Sequence, residues 1–215
     1  VAEKARGNAS GSVGNLFVVS APSGAGKTSL CKEIVDFFPR LRHSVSYTTR
    51  PPRAGEVEGR DYHFVARDAF DRMAAAGRFA EWAEVHGNGY GTAIATLEEA
   101  RSGGYDLLLE IDCQGAAQIK QNYRHGVFIF ILPPSIDELR RRLEGRGTDS
   151  AEIIARRIEN ARGEILQAAW YDFLVVNDDF SRARDEFRAI ILAENCRSAR
   201  VLPTLPVEFG LAESL

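Results

Sequence analysis

Four short apolar runs punctuate the chain: Leu16–Val19, Leu107–Leu109 with Ile111, Val127–Leu132 and Phe173–Val176. Each is apolar at consecutive rather than alternate positions, the pattern of strands buried on both faces of a parallel sheet. Between the runs, apolar positions recur at helical spacing. Leu30, Ile34 and Phe38 are four apart, with Cys31 and Val35 alongside. Ile154, Ile158, Ala161 and Ile165 follow steps of four, three and four, and Phe187, Ile190, Ile191 and Glu194 close the series. Thr96-x-x-Glu99, Ser135-x-x-Glu138 and Asp149-x-x-Glu152 read as capping boxes at helix starts. Strands alternating with helices predict an α/β fold, a parallel sheet flanked by helices.

Two segments break this rhythm. Residues 44–94 are rich in Thr, Arg, Gly and Tyr, with short alternating pieces such as "DYHFV", and predict a small mixed β insertion. Residues 137–164 hold seven arginines and seven acids, and predict an exposed helical pair with little core of its own. The expected organisation is one domain over about 14–207. Its core comprises 15–43, 95–136 and 166–207, with the insertion at 44–94 and a helical lid at 137–165. Residues 1–14, polar and rich in small side chains, read as a flexible leader, and 208–215 as a C-terminal tail.

Composition narrows the function. The chain has 215 residues, 45% apolar and 27% charged, with a net charge of −3. That is enough for one sizeable core. It supplies no global basic field, so neither a nucleic acid nor a membrane is an expected partner, and any positive site must be local. No stretch approaches the ~20 apolar residues of a membrane span, and nothing resembles a signal peptide. Cys31, Cys113 and Cys196 lie far apart, without metal or redox spacing, which fits reduced thiols in the cytoplasm. Nothing in the pattern selects between a monomer and a homo-oligomer.

The chemistry concentrates after the first strand, in Gly24-Ala25-Gly26-Lys27-Thr28. A glycine loop between a strand and a helix can turn successive backbone N–H groups toward one anion, and the helix adds its positive N-terminal end. Lys27 is placed for the β- and γ-phosphates, and the Thr28 hydroxyl for Mg²⁺. Only four of the 27 Lys and Arg residues are lysine, so its choice here over arginine is informative. Ala21 stands where the phosphate-loop pattern starts with glycine, and Pro22 beside it restricts Ala21 to extended geometry. The competing reading is a strand-to-helix turn without a ligand. Further on, Arg50 and Arg53 flank Pro51-Pro52, which suits a second phosphate. A solvated basic loop is the plainer alternative.

In these motifs the chain resembles the guanylate kinases. The segments "SAPSGAGKTSL", "SVSYTTRPPRAGEVEGRDYHFV", "FAEWAEVHGNGYGT", "LEIDCQGA", "LPPSIDELRRRLEGRGTDS" and "VVND" follow the family's order over roughly residues 16–205. The resemblance implies transfer of the γ-phosphoryl group of ATP to GMP, with Mg²⁺. It implies an ATP cradle of Ala21, Pro22, Ser23, Gly24, Ala25, Gly26, Lys27, Thr28 and Ser29, with Asn177 near the adenine. The GMP phosphate falls to Ser46, Arg50, Arg53, Tyr62 and Tyr90, and the guanine to Glu81 and Thr92 with Asp112 nearby. Arg142, Arg146 and Arg157 close over the transferring group, and Lys27 and Arg50 join them as catalytic. Glu110 stands where some members carry Asp.

The residue types agree with those roles. A carboxylate such as Glu81 can accept both hydrogens of the guanine edge, which adenine lacks, and Thr92 can donate to O6. Asp112 closes a buried strand, where open α/β sheets place ligands. Arg142 and Arg146 share a face if their helix extends that far, with Gly145 and Gly147 as a hinge. The rival readings are a catalytically silent peptide-binding module, a kinase of different base choice, and a generic phosphate-loop ATPase.

Overall fold

All four apolar runs form strands, but only the first three bury both faces; the fourth, Phe173–Val176, lies at the sheet edge with Leu174 and Val176 exposed, so its apolar run does not reflect two-sided burial. In the computed structural model, which describes residues 14–209 except 86, 146 and 148, the four runs are β1 (Leu16–Ser20), β7 (Asp106–Glu110), β8 (Val127–Leu132) and β9 (Phe173–Val176). A fifth strand, β2 (Leu41–His43), was not legible as an apolar run, because only Leu41 of its three residues is buried. The sheet is parallel throughout, in the order β2-β7-β1-β8-β9. Alternate residues feed opposite layers. Phe17, Val19, Ile129 and Ile131 pack with Leu30, Ile34, Phe187 and Ile191, which lie on helices α1 (Lys27–Phe37) and α7 (Phe180–Asn195). Val18, Leu109, Phe128 and Phe130 pack with Leu97 and Ile119, on α3 (Ile94–Gly103) and α4 (Cys113–Asn122).

This arrangement sets the site. The chain leaves β1 toward one layer through α1 and leaves the neighbouring β7 toward the other through α4. Where adjacent strands send their connections to opposite faces, a crevice opens at their carboxyl ends. The glycine loop and Asp112 both lie there.

The 44–94 segment contains a four-stranded mixed sheet in the order β4-β3-β6-β5. Its strands are β3 (Tyr47–Thr48), β4 (His63–Phe64), β5 (Phe79–Val85) and β6 (Asn88–Ala93), with helix α2 (Arg67–Ala75) between β4 and β5. Its outer strand β5 is fastened to α4. Gln118 Nε2 donates to the Trp82 carbonyl at 2.8 Å, and the Trp82 N–H donates to Gln118 Oε1 at 3.2 Å. A side-chain amide thus supplies the ladder that a missing strand would have made.

The charged segment forms α5 (Ile136–Glu144) and α6 (Ala151–Leu166), and it does have a core. Leu139, Leu143, Ile154, Ile158 and Ala161 are buried together. Many of its charged side chains, among them Asp137, Arg140, Arg141, Glu144, Glu152, Arg156, Glu159 and Arg162, are exposed, so composition alone concealed the inner face. Of the three predicted caps, Ser135 holds, its Oγ accepting from the Glu138 N–H at 3.0 Å. Thr96 does not, because the chain passes from β6 into α3 at Ala93 without a side-chain cap. The third moves by one residue: Ser150 caps α6, which frees Asp149 to pair with Arg157 at 3.1 Å. The chain continues past α7 through α8 (Ser198–Val201) and short turns to Phe209. Residues 1–13 and 210–215, which hold nearly all of the expected leader and tail, lie outside the described residues. No described helix is long and apolar enough to cross a membrane.

Candidate active site

The glycine loop has the backbone its sequence requires. Gly24 and Gly26 adopt φ of 97° and 94°, in the left-handed region that side chains resist. Close packing excludes a side chain as well. A Cβ on Gly26 would lie 2.3 Å from Asn177 Nδ2, and one on Gly24 would lie 3.0 Å from both Leu139 Cδ1 and Leu143 Cδ2. Helix α5 therefore sits directly on the loop. Ala21, the departure from the usual pattern, packs its methyl against the core cluster around α1, which a glycine would leave unfilled.

Asn177 is buried beneath the loop, 5% exposed, with Nδ2 donating to the Ala25 carbonyl at 2.7 Å. Its side chain props the loop from below. Arg142 Nη2 donates to the Asn177 carbonyl at 2.8 Å while its Nε donates to Glu138 Oε1 at 2.9 Å. Helix α5 ends at Glu144; Arg146, expected to share a face with Arg142 if the helix reached that far, lies outside the described residues. Arg142 and Arg157 are each held by a carboxylate of the helix pair, Glu138 and Asp149.

Lys27 reaches across the crevice, with Nζ donating to the Ile111 carbonyl at 3.0 Å. The loop after β1 is thereby tied to the turn after β7. Beside this link, Thr28 Oγ1 donates to Glu110 Oε1, and His43 Nε2 lies 3.2 Å from Glu110 Oε2. Burial alone would push the Glu110 carboxyl up, but His43, Lys27 and Thr28 together hold it below its ordinary range. Asp112 caps α4, accepting from the Gly115 N–H at 2.8 Å. These hydroxyl and carboxylate oxygens are hard donors of the kind Mg²⁺ takes, directly or through water. From the far end of α6, Glu164 also feels this site: burial and the Asp112 carboxylate raise it, while Lys27 and the Ser23 N–H act in the opposite sense.

Glu81 lies on the other side of Asp112. It is 4% exposed, and its Oε1 accepts from Thr92 Oγ1 at 2.6 Å. A Cβ on Gly115 would fall 2.3 Å from Glu81 Oε2, so the acid rests against the first turn of α4, which only glycine permits. Burial pushes Glu81 up to about 7, with Asp112 adding to the rise and Thr92 opposing it. Thr92 itself is fully buried and directs its proton to Glu81. In this state it orients the carboxylate, where sequence reasoning had it donating to a base.

Arg50 is gripped by Glu56 in a two-pronged pair at 2.8 and 3.0 Å, which raises the guanidinium further above its ordinary range. Its carbon lies 5.4 Å from the centre of the Tyr62 ring, and Tyr62 and Tyr90 stand edge to face at 6.0 Å. Burial, with the Glu110 charge next, raises the Tyr62 phenol. Arg53 is exposed, with its backbone N–H donating to Glu56 Oε2 at 2.6 Å, and Ser46 is half-buried. Gly115 was missed because its role lies in a backbone approach, Gln118 because its partner is distant in sequence, and Glu56 although its partners Arg50 and Arg53 are close in sequence. The Arg50–Glu56 spacing was the one available signal.

Three comparisons with known proteins agree. A family model described as guanylate kinase matches residues 13–194. A guanylate kinase of Syntrophotalea carbinolica is 66% identical over 188 residues, 87% of this chain and 90% of the relative. One of Geobacter metallireducens is 61% identical over 198 residues, 92% of this chain and 98% of the relative. Among solved structures, the guanylate kinase of Anaplasma phagocytophilum superimposes with a TM-score of 0.71 at 39% identity, covering 88% of this chain and 90% of that one.

The raised Glu81 carries a stability consequence. Its folded value of about 7 lies above the ordinary 4.5, so the folded state binds the extra proton. The resulting stabilisation is fully present below 4.5 and is lost as pH rises through about 7. In urea unfolding across that window, the parent should lose about 3 kcal/mol relative to Glu81→Gln. Parallel pH profiles for the two proteins would show that Glu81 is not buried as described.

Proposed function

Because the chain belongs to the guanylate kinase family and transfers the γ-phosphoryl group of ATP to GMP, we propose that its two cradles divide the reaction between them. The observation that carries this assignment is the pairing of Lys27 with the Ile111 carbonyl, one residue from Asp112 and hence beside the buried Glu81. It supports a single crevice for the triphosphate loop and the base-reading acid.

In this reading the loop from Ala21 to Ser29 wraps the ATP phosphates, and Lys27 exchanges its carbonyl partner for the β- and γ-oxygens. Asn177 holds the loop in shape from beneath. Ser46, Arg50, Arg53, Tyr62 and Tyr90 take the GMP phosphate, with Glu56 holding the Arg50 fork until that phosphate replaces it. Glu81, ionised, accepts both hydrogens of the guanine edge, with Thr92 and Asp112 fixing its position. Thr28, Glu110 and Asp112 would hold Mg²⁺, which when bound shields the β- and γ-phosphate charge.

No general base is required, since a GMP phosphate oxygen is already anionic at neutral pH. The work is alignment and the masking of repulsion between two polyanions. We assign residues 137–165 as the lid. Arg142 and Arg157 leave their carboxylate partners Glu138 and Asp149 to engage the transferring group, and Arg146 joins them there. Both pairs are partly buried, so the exchange depends on phosphate oxygens taking over the guanidinium donors. The cytoplasm suits the three free cysteines, and recycling of GMP in purine metabolism is the corresponding role.

A coupled assay of ADP release with GMP, AMP, CMP and UMP tests the assignment, with turnover expected on GMP. Lys27→Ala should lower it by about 10²-fold or more while the protein stays folded; near-parental turnover would refute the loop's role. Glu81→Gln should narrow the preference for GMP over AMP by about 10²–10⁴, the worth of two hydrogen bonds to a charge. Unchanged discrimination would remove Glu81 from base reading.

A further inference from the structure

The opposite end of the parallel sheet holds a second concavity that the kinase reaction leaves unused. A cavity of about 720 Å³ opens at the amino ends of β1 and β7, where Leu16 and Leu107 form its floor. The catalytic crevice lies at the carboxyl ends of the same strands, so five residues of strand, roughly 15 Å, separate the two. The volume falls within the ~300–1,000 Å³ of small-molecule sites.

Its lining combines an apolar interior with an excess of cations. Leu97, Ala100 and the rings of Tyr105 and Tyr123 supply the walls. Arg101, Arg124 and Arg200 line it against a single carboxylate, Glu98. Among the described residues, Arg101 and Arg124 form no ion pair. Arg200 has one, to Asp106 Oδ1 at a long 3.8 Å, and that oxygen already accepts from the Asn15 N–H at 2.6 Å. Burial lowers the Arg200 guanidinium from its ordinary range, with Asp106 offsetting part of the effect. A partly buried guanidinium with five N–H donors and one distant partner retains donors for an anion.

We propose that this cavity is a second ligand site, for a small anion carrying a flat ring. The arginines take the anionic group, and the ring lies along the Tyr105, Tyr123 and leucine walls. Neither feature suffices alone: a bare anion leaves the apolar floor uncovered, and an uncharged ring leaves Arg200 underpaired.

The test is fluorescence titration of the full chain with 8-anilinonaphthalene-1-sulfonate, a flat apolar body bearing one strong anion. Saturable binding is expected. Ala199→Trp, which obstructs the lining from an exposed position, and Arg124→Glu should each weaken it by about tenfold, the worth of one charge-assisted hydrogen bond. Both variants should keep parental kinase turnover. Phenyl phosphate should displace the dye at lower concentration than inorganic phosphate. Binding that is absent, or unchanged in Ala199→Trp, overturns the site. Loss in Ala199→Trp without loss in Arg124→Glu overturns its anionic character, and equal displacement by the two phosphates overturns the ring.

Discussion

Repulsion between phosphates is the constraint on which this architecture turns. Two unit negative charges about 4 Å apart at a protein surface oppose each other by about 4 kcal/mol, and phosphoryl transfer between nucleotides sets several such pairs together. In the proposed reading the fold answers with cations from both cradles, one beside the parallel sheet and one beside the mixed sheet. Lys27 comes from the loop after β1, and Arg50 from the segment after β3. Before substrate arrives each has a protein partner, the Ile111 carbonyl for Lys27 and the Glu56 carboxylate for Arg50. The cations are thus held in place, and each partner can be exchanged for a phosphate oxygen.

Base selection imposes a different demand. An acid that is to read guanine must be shielded from water, and shielding favours its protonated form. Thr92 donates to one oxygen, and the bare Cα of Gly115 allows the other to rest against the start of α4. The acid is still raised, so the site holds a carboxylate less content there than in solvent. Such a group gains from a ligand that offers two hydrogens, which ties stability lost in the free protein to selectivity in the complex.

Much of this was legible in one sequence, and the failures have physical causes. The runs at Leu16, Leu107 and Val127 announced their strands because burial on both faces leaves no polar position to confuse the pattern, whereas the run at Phe173 is apolar although its edge strand leaves Leu174 and Val176 exposed. β2 escaped because an edge strand of three residues buries only Leu41. Thr96 looked like a cap, but β6 feeds α3 directly. The glycine loop was readable because its requirements are local, at Gly24 and Gly26. Asn177 and Gln118 were not readable in their structural roles, since each acts on a partner brought near only by the fold, whereas Glu56 lies six residues from Arg50 and its spacing was a usable signal. The Thr92 bond to Glu81 was not readable either, because sequence shows a hydroxyl and not where its proton points.

The central claim is that the glycine-lined and arginine-lined cradles face one crevice. Calorimetric titration with adenosine and guanosine joined through five phosphates tests it most directly. One molecule should bind per chain, more tightly than ATP or GMP alone, and both nucleotides should compete with it, because a second group tethered within one crevice binds at high effective concentration. Competition by only one of the two nucleotides, with affinity no better than that nucleotide's own, would mean that the cradles do not share a crevice.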